Sequence, residues 1–363
     1  MEGNRVDPQA VQSFNRSILD VFRQGVSVSL RNGRFTRFFF RTFLRQRSAV
    51  RVRRRWEKRN VHVPPLLIAS MTNRCNLRCT GCYARAHGLT SVDGMEKGDW
   101  VRVFREAETL GVSIVLLAGG EPFLRADLLD ITAEFPRLVF PVFTNGLALA
   151  EPVIGRLREQ PQVIPVISLE GDAKQTDARR GPGVFGWLEG VMERLRRGRV
   201  FFGISVTVHR QNADLVTDPV FIRRLFGTGC RLFFYVEYTP VEENTEHLVL
   251  TEVQRYTVRK VADTLRREFR GIFIVFPGDE EPYGGCLAAG RGFIHIGANG
   301  NVEPCPFAPY SDTGVKTGSL EAALQSDLLE KIRLNHDRLT ETRGGCALWN
   351  QREWVKALAR GGG

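Results

Sequence analysis

Three cysteines, Cys75, Cys79 and Cys82, lie within eight residues of one another. Three thiolates on one short loop can hold three irons of a [4Fe–4S] cluster, because cysteine thiolate is the usual ligand of such irons. The loop offers no fourth ligand, so one iron would stay open to another molecule. A structural zinc site usually has four protein ligands, and three cysteines cannot all pair as disulfides. The spacing therefore predicts a reactive iron–sulfur centre.

The cysteine spacing and a second motif resemble those of the radical S-adenosylmethionine (radical SAM) superfamily. Cys-x3-Cys-x2-Cys follows the first predicted strand, and Gly119, Gly120 and Glu121 follow the second. The resemblance implies that SAM chelates the open iron and is cleaved on reduction to methionine and a 5′-deoxyadenosyl radical, which abstracts hydrogen from a substrate. The residue before the third cysteine is often aromatic in the superfamily but is Gly81 here. We count the nearby Tyr83 among the cofactor-binding residues.

Composition and charge narrow the class of protein. The chain has 363 residues, of which 43% are hydrophobic and 25% charged, as is ordinary for a soluble globular protein. No apolar run reaches the roughly 18 residues of a membrane span. The seven cysteines, in a chain that opens without an export signal, indicate reduced, metal-binding thiols. We therefore expect a cytoplasmic protein.

The net charge of +11 belongs to one segment, because residues 31–59 carry twelve Lys and Arg residues against Glu57 alone. Within it, phenylalanines recur at helical spacing, at Phe35, Phe38, Phe39 and Phe43. Arginines fall on the other side of the same helix, at Arg34, Arg37, Arg41 and Arg45. This basic amphipathic helix contacts a membrane surface or docks on a partner protein, or it packs its Phe side on the catalytic domain with its arginines solvated. Nucleic acid is not an expected partner, since no nucleic-acid module accompanies the basic run.

From about residue 66, predicted strands alternate with predicted helices. The strands cover residues 67–71, 113–117, 138–143, 163–169, 200–208 and 231–238. The helices lie near residues 96–110, 125–135, 151–159, 184–197, 215–226 and 251–269. Repeated βα units favour an α/β fold with a parallel sheet. The resemblance implies a partial (β/α)6 TIM-like barrel in residues 61–270, preceded by a helical segment in residues 1–60.

Chemistry in such barrels collects at the carboxyl ends of the strands, and the polar motifs of this chain lie there. The resemblance implies that Glu121 binds the SAM amine and that Ser168 and Glu170, after strand four, bind ribose hydroxyls and other polar groups of SAM. The candidate cofactor-binding residues are therefore Tyr83, Gly119, Gly120, Glu121, Thr144, Asn145, Ser168 and Glu170.

Further candidates lie around the same end of the sheet. On the substrate side we expect residues after strands five and six, namely His209, Arg210, Glu237 and Tyr238. Arg179 and Arg180 either contact a carboxylate or substrate, or belong to a solvated loop; the latter is favoured because charged loops usually lie on the surface.

Three more cysteines follow residue 271, namely Cys286, Cys305 and Cys346. The first two flank a predicted β-hairpin with an Asn-Gly turn. Cys…Gly-x4-Cys resembles the opening of the SPASM or Twitch extension, which implies an auxiliary [4Fe–4S] cluster on these three cysteines in a small α+β extension, residues 271–355, followed by a tail, 356–363. That cluster could bind substrate at an open iron, relay electrons or brace the fold.

Two alternatives concern the ligands of this extension. Zinc at the same three cysteines is the main competitor, with His295 as a possible fourth ligand, although His295 fits a satisfied strand histidine better. Cys230, at the start of strand six, is interpreted as a buried small apolar residue rather than a ligand.

Three functions follow from the sequence. We favour a radical SAM enzyme that modifies a peptide or protein, as many relatives with this extension do, with a reductant such as flavodoxin or ferredoxin. The second is radical modification of a lipid or membrane-bound substrate by an enzyme peripheral to the membrane, as the Phe/Arg helix suggests. The third is a non-catalytic zinc-binding interaction protein.

Overall fold

One mixed sheet organises the chain, whose computed structural model describes residues 8–30, 32–87, 93–276, 280, 283–339 and 345–360. The strands of these residues are β1 (Leu66–Thr72), β2 (Ile114–Gly119), β3 (Phe140–Thr144), β4 (Val163–Ser168), β5 (Gly203–Val208), β6 (Leu232–Glu237), β7 (Ile272–Phe276), β8 (Phe293–Ile296), β9 (Asn301–Glu303) and β10 (Thr313–Gly314). Their order is β10-β9-β8-β1-β2-β3-β4-β5-β6-β7. Strands β8 and β1 to β7 run parallel, whereas β9 and β10 are antiparallel to their neighbours.

Helices connect most of the parallel strands. In the described part of the chain they are α1 (Pro8–Val28), α2 (Gly33–Glu57), α3 (Tyr83–Ala86), α4 (Lys97–Leu110), α5 (Leu128–Ala133), α6 (Glu151–Glu159), α7 (Ala173–Arg180), α8 (Val184–Arg197), α9 (Ala213–Thr217), α10 (Pro219–Gly227), α11 (Glu252–Glu268), α12 (Leu320–Ala323), α13 (Asp327–Leu334), α14 (Ala347–Asn350) and α15 (Arg352–Ala359). Short 3-10 turns cover Pro122–Leu124, Glu246–Leu248 and His336–Leu339.

The connecting helices cover one face of the sheet. Leu117, Val142 and Ile167, from β2, β3 and β4, lie in one buried cluster with Phe104 of α4 and Leu188 of α8. Alternate residues of the same strands point to the opposite face, as the two-residue period of a strand requires. The predicted α/β class, with βα units around a parallel sheet, is therefore confirmed.

The N-terminal helices α1 and α2 cover the opposite face of the sheet near the amino ends of its strands. Phe35 and Phe39 of α2 are buried against Ile164, Leu232 and Ile272, which lie near the amino ends of β4, β6 and β7. The Phe side of the basic helix thus packs on the protein, as one of the sequence-based alternatives predicted. The helix pair closes the end of the sheet away from the carboxyl ends of its strands.

Several arginines of α2 also donate hydrogen bonds to the protein, although Arg34 and Arg45 stay exposed and only Arg53 is buried. Arg34, Arg45 and Arg53 donate to backbone carbonyl oxygens just before β4, β3 and β2. Helix α2 therefore runs across the amino ends of these strands. Phe40 and Leu44, on its outer side, are exposed. Within the described ranges, none of the helices has the length and apolar character needed to cross a bilayer.

Replacing Phe39 with leucine is expected to lower the free energy of unfolding by about 1–2 kcal/mol, because a buried ring would leave a partly filled cavity. Phe39 is 2% exposed, whereas its neighbour Phe40 is 52% exposed. The matched variant Phe40→Leu should change stability by less than about 0.5 kcal/mol. Urea unfolding of both variants checks this, and equal losses would contradict the packing of α2 on the sheet.

One predicted helix is divided in two in the structure. The helix predicted near residues 215–226 is two helices, α9 and α10, separated at Asp218. Asp218 has φ −66° and ψ 125° and precedes Pro219, the first residue of α10. The residue before a proline disfavours the α conformation, which ends α9 there.

The strands after residue 271 extend the core sheet at both edges. Strand β7, which was not predicted, pairs with β6, and β8 pairs with β1, with Phe293 opposite Leu66. The predicted hairpin is present, with Val302 opposite Ile296. The division into residues 61–270 and 271–355 stays a prediction, since one sheet runs across it.

Candidate active site at the carboxyl ends of the strands

The cysteine loop begins where β1 ends, and a carboxylate fixes its first residues. Asp93 accepts hydrogen bonds from the Thr72 hydroxyl at 2.9 and 2.7 Å and from the Asn73 backbone N–H at 2.7 Å. The Arg74 guanidinium lies 3.4 Å from the same carboxylate. The loop therefore leaves the sheet in a direction set by the protein before any cofactor binds.

Gly119 and Gly120 bring the end of β2 against this loop. A Cβ on Gly119, whose φ is +117°, would lie 2.4 Å from the Thr72 carbonyl oxygen, and one on Gly120 would lie 2.1 Å from that of Arg74. Gly120 and Glu121 donate backbone hydrogen bonds to these two oxygens, at 2.7 and 2.8 Å. Glycine permits two backbone segments to approach closely, and here the end of β2 approaches the backbone of the cysteine loop. A contact of the glycines with SAM stays a prediction.

Glu121 joins the ends of β2 and β3. Its buried carboxylate accepts hydrogen bonds from the Thr144 hydroxyl (2.7 Å) and from the backbone N–H groups of Asn145 (2.7 Å) and Phe123 (3.1 Å). Burial raises its pKa, although these donors act in the opposite direction. Three of about four acceptor positions of a carboxylate are thereby used. One position is left for a further donor.

Two side chains donate hydrogen bonds to sulfur atoms of the cysteine loop. The Asn145 amide lies 2.7 Å from the Asn76 side-chain oxygen and 3.9 Å from the Cys75 sulfur. The Arg180 guanidinium lies 3.9 Å from the Cys79 sulfur. Hydrogen bonds of this kind stabilise thiolates and tune iron–sulfur clusters.

Arg179 and Arg180 form a buried ion-pair cluster with Glu170. Arg179 Nη1 lies 2.6 Å and Arg180 Nε 2.9 Å from Glu170 Oε1, and the Thr207 N–H donates to Oε2 at 3.1 Å. Burial alone would raise the pKa of Glu170, but the two arginines lower it below its usual value. The arginine side chains are only 14% and 9% exposed. The solvated-loop interpretation of this pair is therefore wrong, because α7 turns both residues toward a buried carboxylate.

The same arginines attach β4 to the cysteine loop. Arg179 Nε donates to the Thr80 carbonyl oxygen at 3.2 Å, and the Thr80 N–H donates back to the Arg179 carbonyl oxygen at 3.1 Å. Glu170 therefore acts on the loop through the two arginines. Its predicted direct contact with SAM stays a prediction.

The three thiols of the loop lie close to one another. Partial desolvation by the surrounding protein raises the pKa of Cys75, and the charges of Glu121, Cys79 and Cys82 raise it further. Cys75 is exposed and the other two are half-buried, so the group is open on one side. Three neighbouring thiols with amide and guanidinium donors at their sulfurs would suit a [4Fe–4S] cluster and would leave one of its irons without a cysteine ligand.

The structure explains why residue 81 is a glycine. Its φ is +66°, and a Cβ there would lie 2.5 Å from the hydroxyl oxygen of Tyr238, at the end of β6. Its N–H donates to Glu242 at 2.6 Å. The tyrosine ring occupies the place of a side chain at residue 81, which explains the departure from the superfamily pattern.

The remaining candidates lie in different surroundings. Ser168 is half-buried at the end of β4, and Tyr83 packs edge-on against Phe307, with ring centroids 5.4 Å apart. Burial raises the pKa of Tyr83. Three of the predicted substrate-side residues contact other parts of the chain. His209 Nδ1 accepts a hydrogen bond from the Gln211 N–H, and Arg210 donates one to the Val249 carbonyl oxygen. Glu237 forms an ion pair with Arg255.

The three cysteines of the extension also come together. Cys286 and Cys305 are buried, and Cys346 caps α14, where its sulfur accepts the Trp349 N–H at 3.4 Å. Burial raises the pKa of each thiol, that of Cys346 to about 12, and Cys286 is raised further by the other two. This donor set fits an auxiliary cluster.

His295 and Cys230, the two alternative ligands, both bind other groups and do not join the three cysteines of the extension. The His295 ring nitrogens contact the Ser70 hydroxyl at 2.8 Å and the Glu303 carboxylate at 2.7 Å. Cys230 is buried at the start of β6, where its thiol donates to the Leu232 carbonyl oxygen at 3.4 Å. Among the described residues, no three Cys, His, Asp or Glu side chains converge closely enough to hold a single metal ion.

Sequence reasoning missed three acidic residues that contact the cysteine-bearing loops, namely Asp93, Glu242 and Glu280. None belongs to a spaced motif. Only Glu242 has a positional signal, since it follows the carboxyl end of β6 closely.

Comparison with known proteins agrees with this site. Residues 69–218 match the sequence model of the Radical SAM superfamily. The chain is 24% identical over 276 residues to an AdoMet-dependent heme synthase of Methanosarcina barkeri, covering 68% of this chain and 78% of that protein. It is 25% identical over 255 residues to a PqqA peptide cyclase of Rhizobium meliloti, covering 67% and 68%.

A solved structure shares the fold. SuiB of Streptococcus suis, bound to its precursor peptide SuiA, superposes with a TM-score of 0.64 at 20% identity, covering 81% of this chain and 72% of that one. This likeness supports the partial-barrel architecture predicted for the sheet. Residues 69–218, which contain the cysteine loop, therefore form a Radical SAM domain, and the chain is an enzyme similar to the synthase and the cyclase named above.

Proposed function

We propose that the enzyme holds a [4Fe–4S] cluster on Cys75, Cys79 and Cys82 and abstracts hydrogen from a peptide or protein substrate. The observation that carries this proposal is the trio of neighbouring thiols on one loop at the carboxyl end of β1. When bound and reduced, the cluster and SAM supply the 5′-deoxyadenosyl radical. A reductant such as flavodoxin or ferredoxin delivers the electron.

The chain's own residues prepare this site. Asp93 and the backbone of Gly120 fix the base of the cysteine loop. Asn145 and Arg180 donate to sulfur and so favour the thiolate form. We assign the surroundings of SAM to the residues that the sequence indicated: Tyr83, Gly119, Gly120, Glu121, Thr144, Asn145, Ser168 and Glu170.

The remaining acceptor position of Glu121 suits the SAM amine. An ionised carboxylate accepts hydrogen bonds at about four positions, and the protein supplies donors for three of them. Half-buried Ser168 suits a hydroxyl or carboxylate of the same molecule. Cys286, Cys305 and Cys346 hold the auxiliary [4Fe–4S] cluster in this proposal.

A peptide substrate is favoured by the relatives. One relative is named as a cyclase of the peptide PqqA, and the SuiB structure contains the peptide SuiA. Because another relative is named as a heme synthase, a tetrapyrrole is an outcome that the experiment must distinguish.

The position of the basic helix disfavours a lipid substrate. Exposed Phe40 and Leu44 lie among arginines on α2, so a peripheral contact of residues 31–59 with an anionic membrane stays a proposal. Such a contact would use the end of the sheet opposite the cysteine loop. The reacting centre would then face away from the lipid.

Deuterium transfer identifies the substrate class. The anaerobically reconstituted enzyme is given SAM, dithionite and one of three fractions from cells grown in heavy water: peptides, lipids or tetrapyrroles. The peptide fraction is expected to place deuterium in 5′-deoxyadenosine, detected by mass spectrometry, because the abstracted hydrogen joins that product.

Protease treatment provides the control. Digestion of the peptide fraction should abolish the transfer, whereas the same treatment of the lipid fraction should change nothing. Transfer from the lipid or tetrapyrrole fraction alone would contradict the proposed substrate class.

A further inference from the structure

The loop after β6 places a carboxylate on the cysteine loop. Glu242 Oε2 accepts a hydrogen bond of 2.6 Å from the backbone N–H of Gly81, the residue between Thr80 and Cys82. Gly81 is buried and Glu242 is half-buried. Because consecutive Cα atoms are about 3.8 Å apart, the carboxylate lies within one residue of the Cys82 backbone. A negative charge is thereby held directly beside a proposed ligand of the cluster.

The loop that carries Glu242 has a fixed shape. The Tyr238 N–H donates to the Val208 carbonyl oxygen of β5 at 2.9 Å, and the Leu248 N–H donates to the Thr245 carbonyl oxygen at 3.0 Å. The hydroxyl of Thr245, which is 7% exposed, donates to the Glu242 carbonyl oxygen. The backbone of Glu242 is therefore set by its own loop and by the end of β5.

The Tyr238 ring covers the Gly81 side of the contact. Tyr238 is 3% exposed, and its hydroxyl oxygen lies 2.5 Å from where a Cβ of residue 81 would be. Water screens charges less in such a place than at an exposed ion pair. The charge of Glu242 therefore acts on the cysteine loop partly through protein rather than through solvent.

Positive charge reaches the same part of the loop from the end of β4. Arg179 and Arg180 share the carboxylate of Glu170, so two guanidinium groups face one negative charge. The Arg180 guanidinium lies 3.9 Å from the Cys79 sulfur. One positive charge is left in excess beside the loop, and Glu242 offsets it from the end of β6.

Charges around an iron–sulfur cluster help to set its reduction potential. Reduction adds an electron, so a nearby carboxylate disfavours the reduced form and lowers the potential, whereas a guanidinium group raises it. A cluster with a lower potential is a stronger reductant once it has been reduced. The balance of charges at the loop therefore bears on the electron that SAM receives.

We propose that Glu242 is a positioning residue whose charge, held at Gly81, lowers the reduction potential of the catalytic cluster. The inference rests on the proposed cluster at Cys75, Cys79 and Cys82. The reduced cluster passes one electron to SAM, and the charge of Glu242 increases the driving force of that transfer. Glu242 itself contacts neither iron nor SAM in this proposal.

Glu242→Gln tests the charge apart from the hydrogen bond. Glutamine keeps an oxygen that can accept the Gly81 N–H, so the contact is retained while one negative charge is removed. The midpoint potential is measured by redox titration of the anaerobically reconstituted full chain, followed by EPR. The catalytic cluster is the one whose signal changes when SAM is added. Its reduction should become about tenfold more favourable in Glu242→Gln, a rise of ~59 mV for a one-electron couple.

The next residue provides the matched control. Glu243 is exposed, so Glu243→Gln removes the same charge from a place that water and salt screen. Its effect on the reduction equilibrium should stay below about twofold. The iron content of both variants should equal that of the wild type, because neither change removes a ligand. A purely structural role of Glu242 would leave the potential unchanged.

The outcomes separate this role from the proposed function. A wild-type enzyme without a SAM-sensitive cluster signal would overturn both the catalytic cluster and the role of Glu242. A SAM-sensitive cluster whose potential is the same in wild type and Glu242→Gln, or rises equally in Glu243→Gln, would overturn the role of Glu242 and leave the catalytic cluster in place.

Discussion

Replacing Glu170 with glutamine is expected to lower the free energy of unfolding by about 3–5 kcal/mol, because it leaves two buried guanidinium groups without their carboxylate. Arg179 and Arg180 both bind Glu170 Oε1 in a place closed to water. The same change should lower the iron content of the reconstituted enzyme, since the arginines hold Thr80 and Cys79 of the cysteine loop. Urea unfolding and iron analysis measure the two effects.

An exposed ion pair provides the matched control. Glu193 binds Arg196 with both side chains about half exposed, so Glu193→Gln should leave the free energy of unfolding almost unchanged, because solvent screens an exposed ion pair. Equal losses in the free energy of unfolding for Glu170→Gln and Glu193→Gln would contradict a stabilising role of the buried ion-pair cluster.

The stability lost in Glu170→Gln should also depend on pH. The arginines hold the folded-state pKa of Glu170 below its usual value, so its contribution is present above the unfolded-state pKa of about 4.3. That contribution is lost as the pH falls toward the lower folded-state value. The difference in the free energy of unfolding between wild type and Glu170→Gln should therefore become smaller below about pH 4. A difference that stays constant there would point to a loss of packing.

Replacing Gly120 with alanine is expected to displace the cysteine loop and remove the catalytic iron. The added Cβ would lie 2.1 Å from the Arg74 carbonyl oxygen and 2.6 Å from its carbonyl carbon. These are backbone atoms and cannot rotate away, so the loop itself must move, at a cost of about 1–3 kcal/mol. Iron content and 5′-deoxyadenosine formation should both fall steeply.

Gly155→Ala is the matched control for this variant. Gly155 lies within α6, and a Cβ there would meet nothing within 4 Å. Alanine in a helix interior stabilises by up to about 1 kcal/mol relative to glycine. Unchanged iron and activity are therefore expected for Gly155→Ala, and the same result for Gly120→Ala would contradict the close contact of β2 with the loop.

Much of the fold was predictable because its signals are local. Strands β1 to β6 are short apolar runs separated by amphipathic helices, and the residue range of α8, predicted as 184–197, agrees with the structure. The motif positions after the strands follow from the same alternation, since parallel strands end at one edge of the sheet.

The rest depends on partners distant in sequence. Nothing local shows that Arg180 meets Glu170 and Cys79, or that Tyr238 fills the space beside Gly81. Helical periodicity predicted the Phe side of α2 but could not tell a protein contact from a lipid contact. Strand β7 lacked any motif to mark it, although its five residues are all apolar.

We propose that the three thiols of one loop hold the cluster on which SAM is cleaved. The direct measurement is 5′-deoxyadenosine formation by anaerobically reconstituted enzyme with SAM and dithionite, compared between wild type and Cys79→Ala. Cys230→Ala, which changes a buried cysteine outside both trios, should keep its iron and its activity. Formation that falls to background in Cys79→Ala is the predicted result, and formation at the wild-type rate would contradict the account.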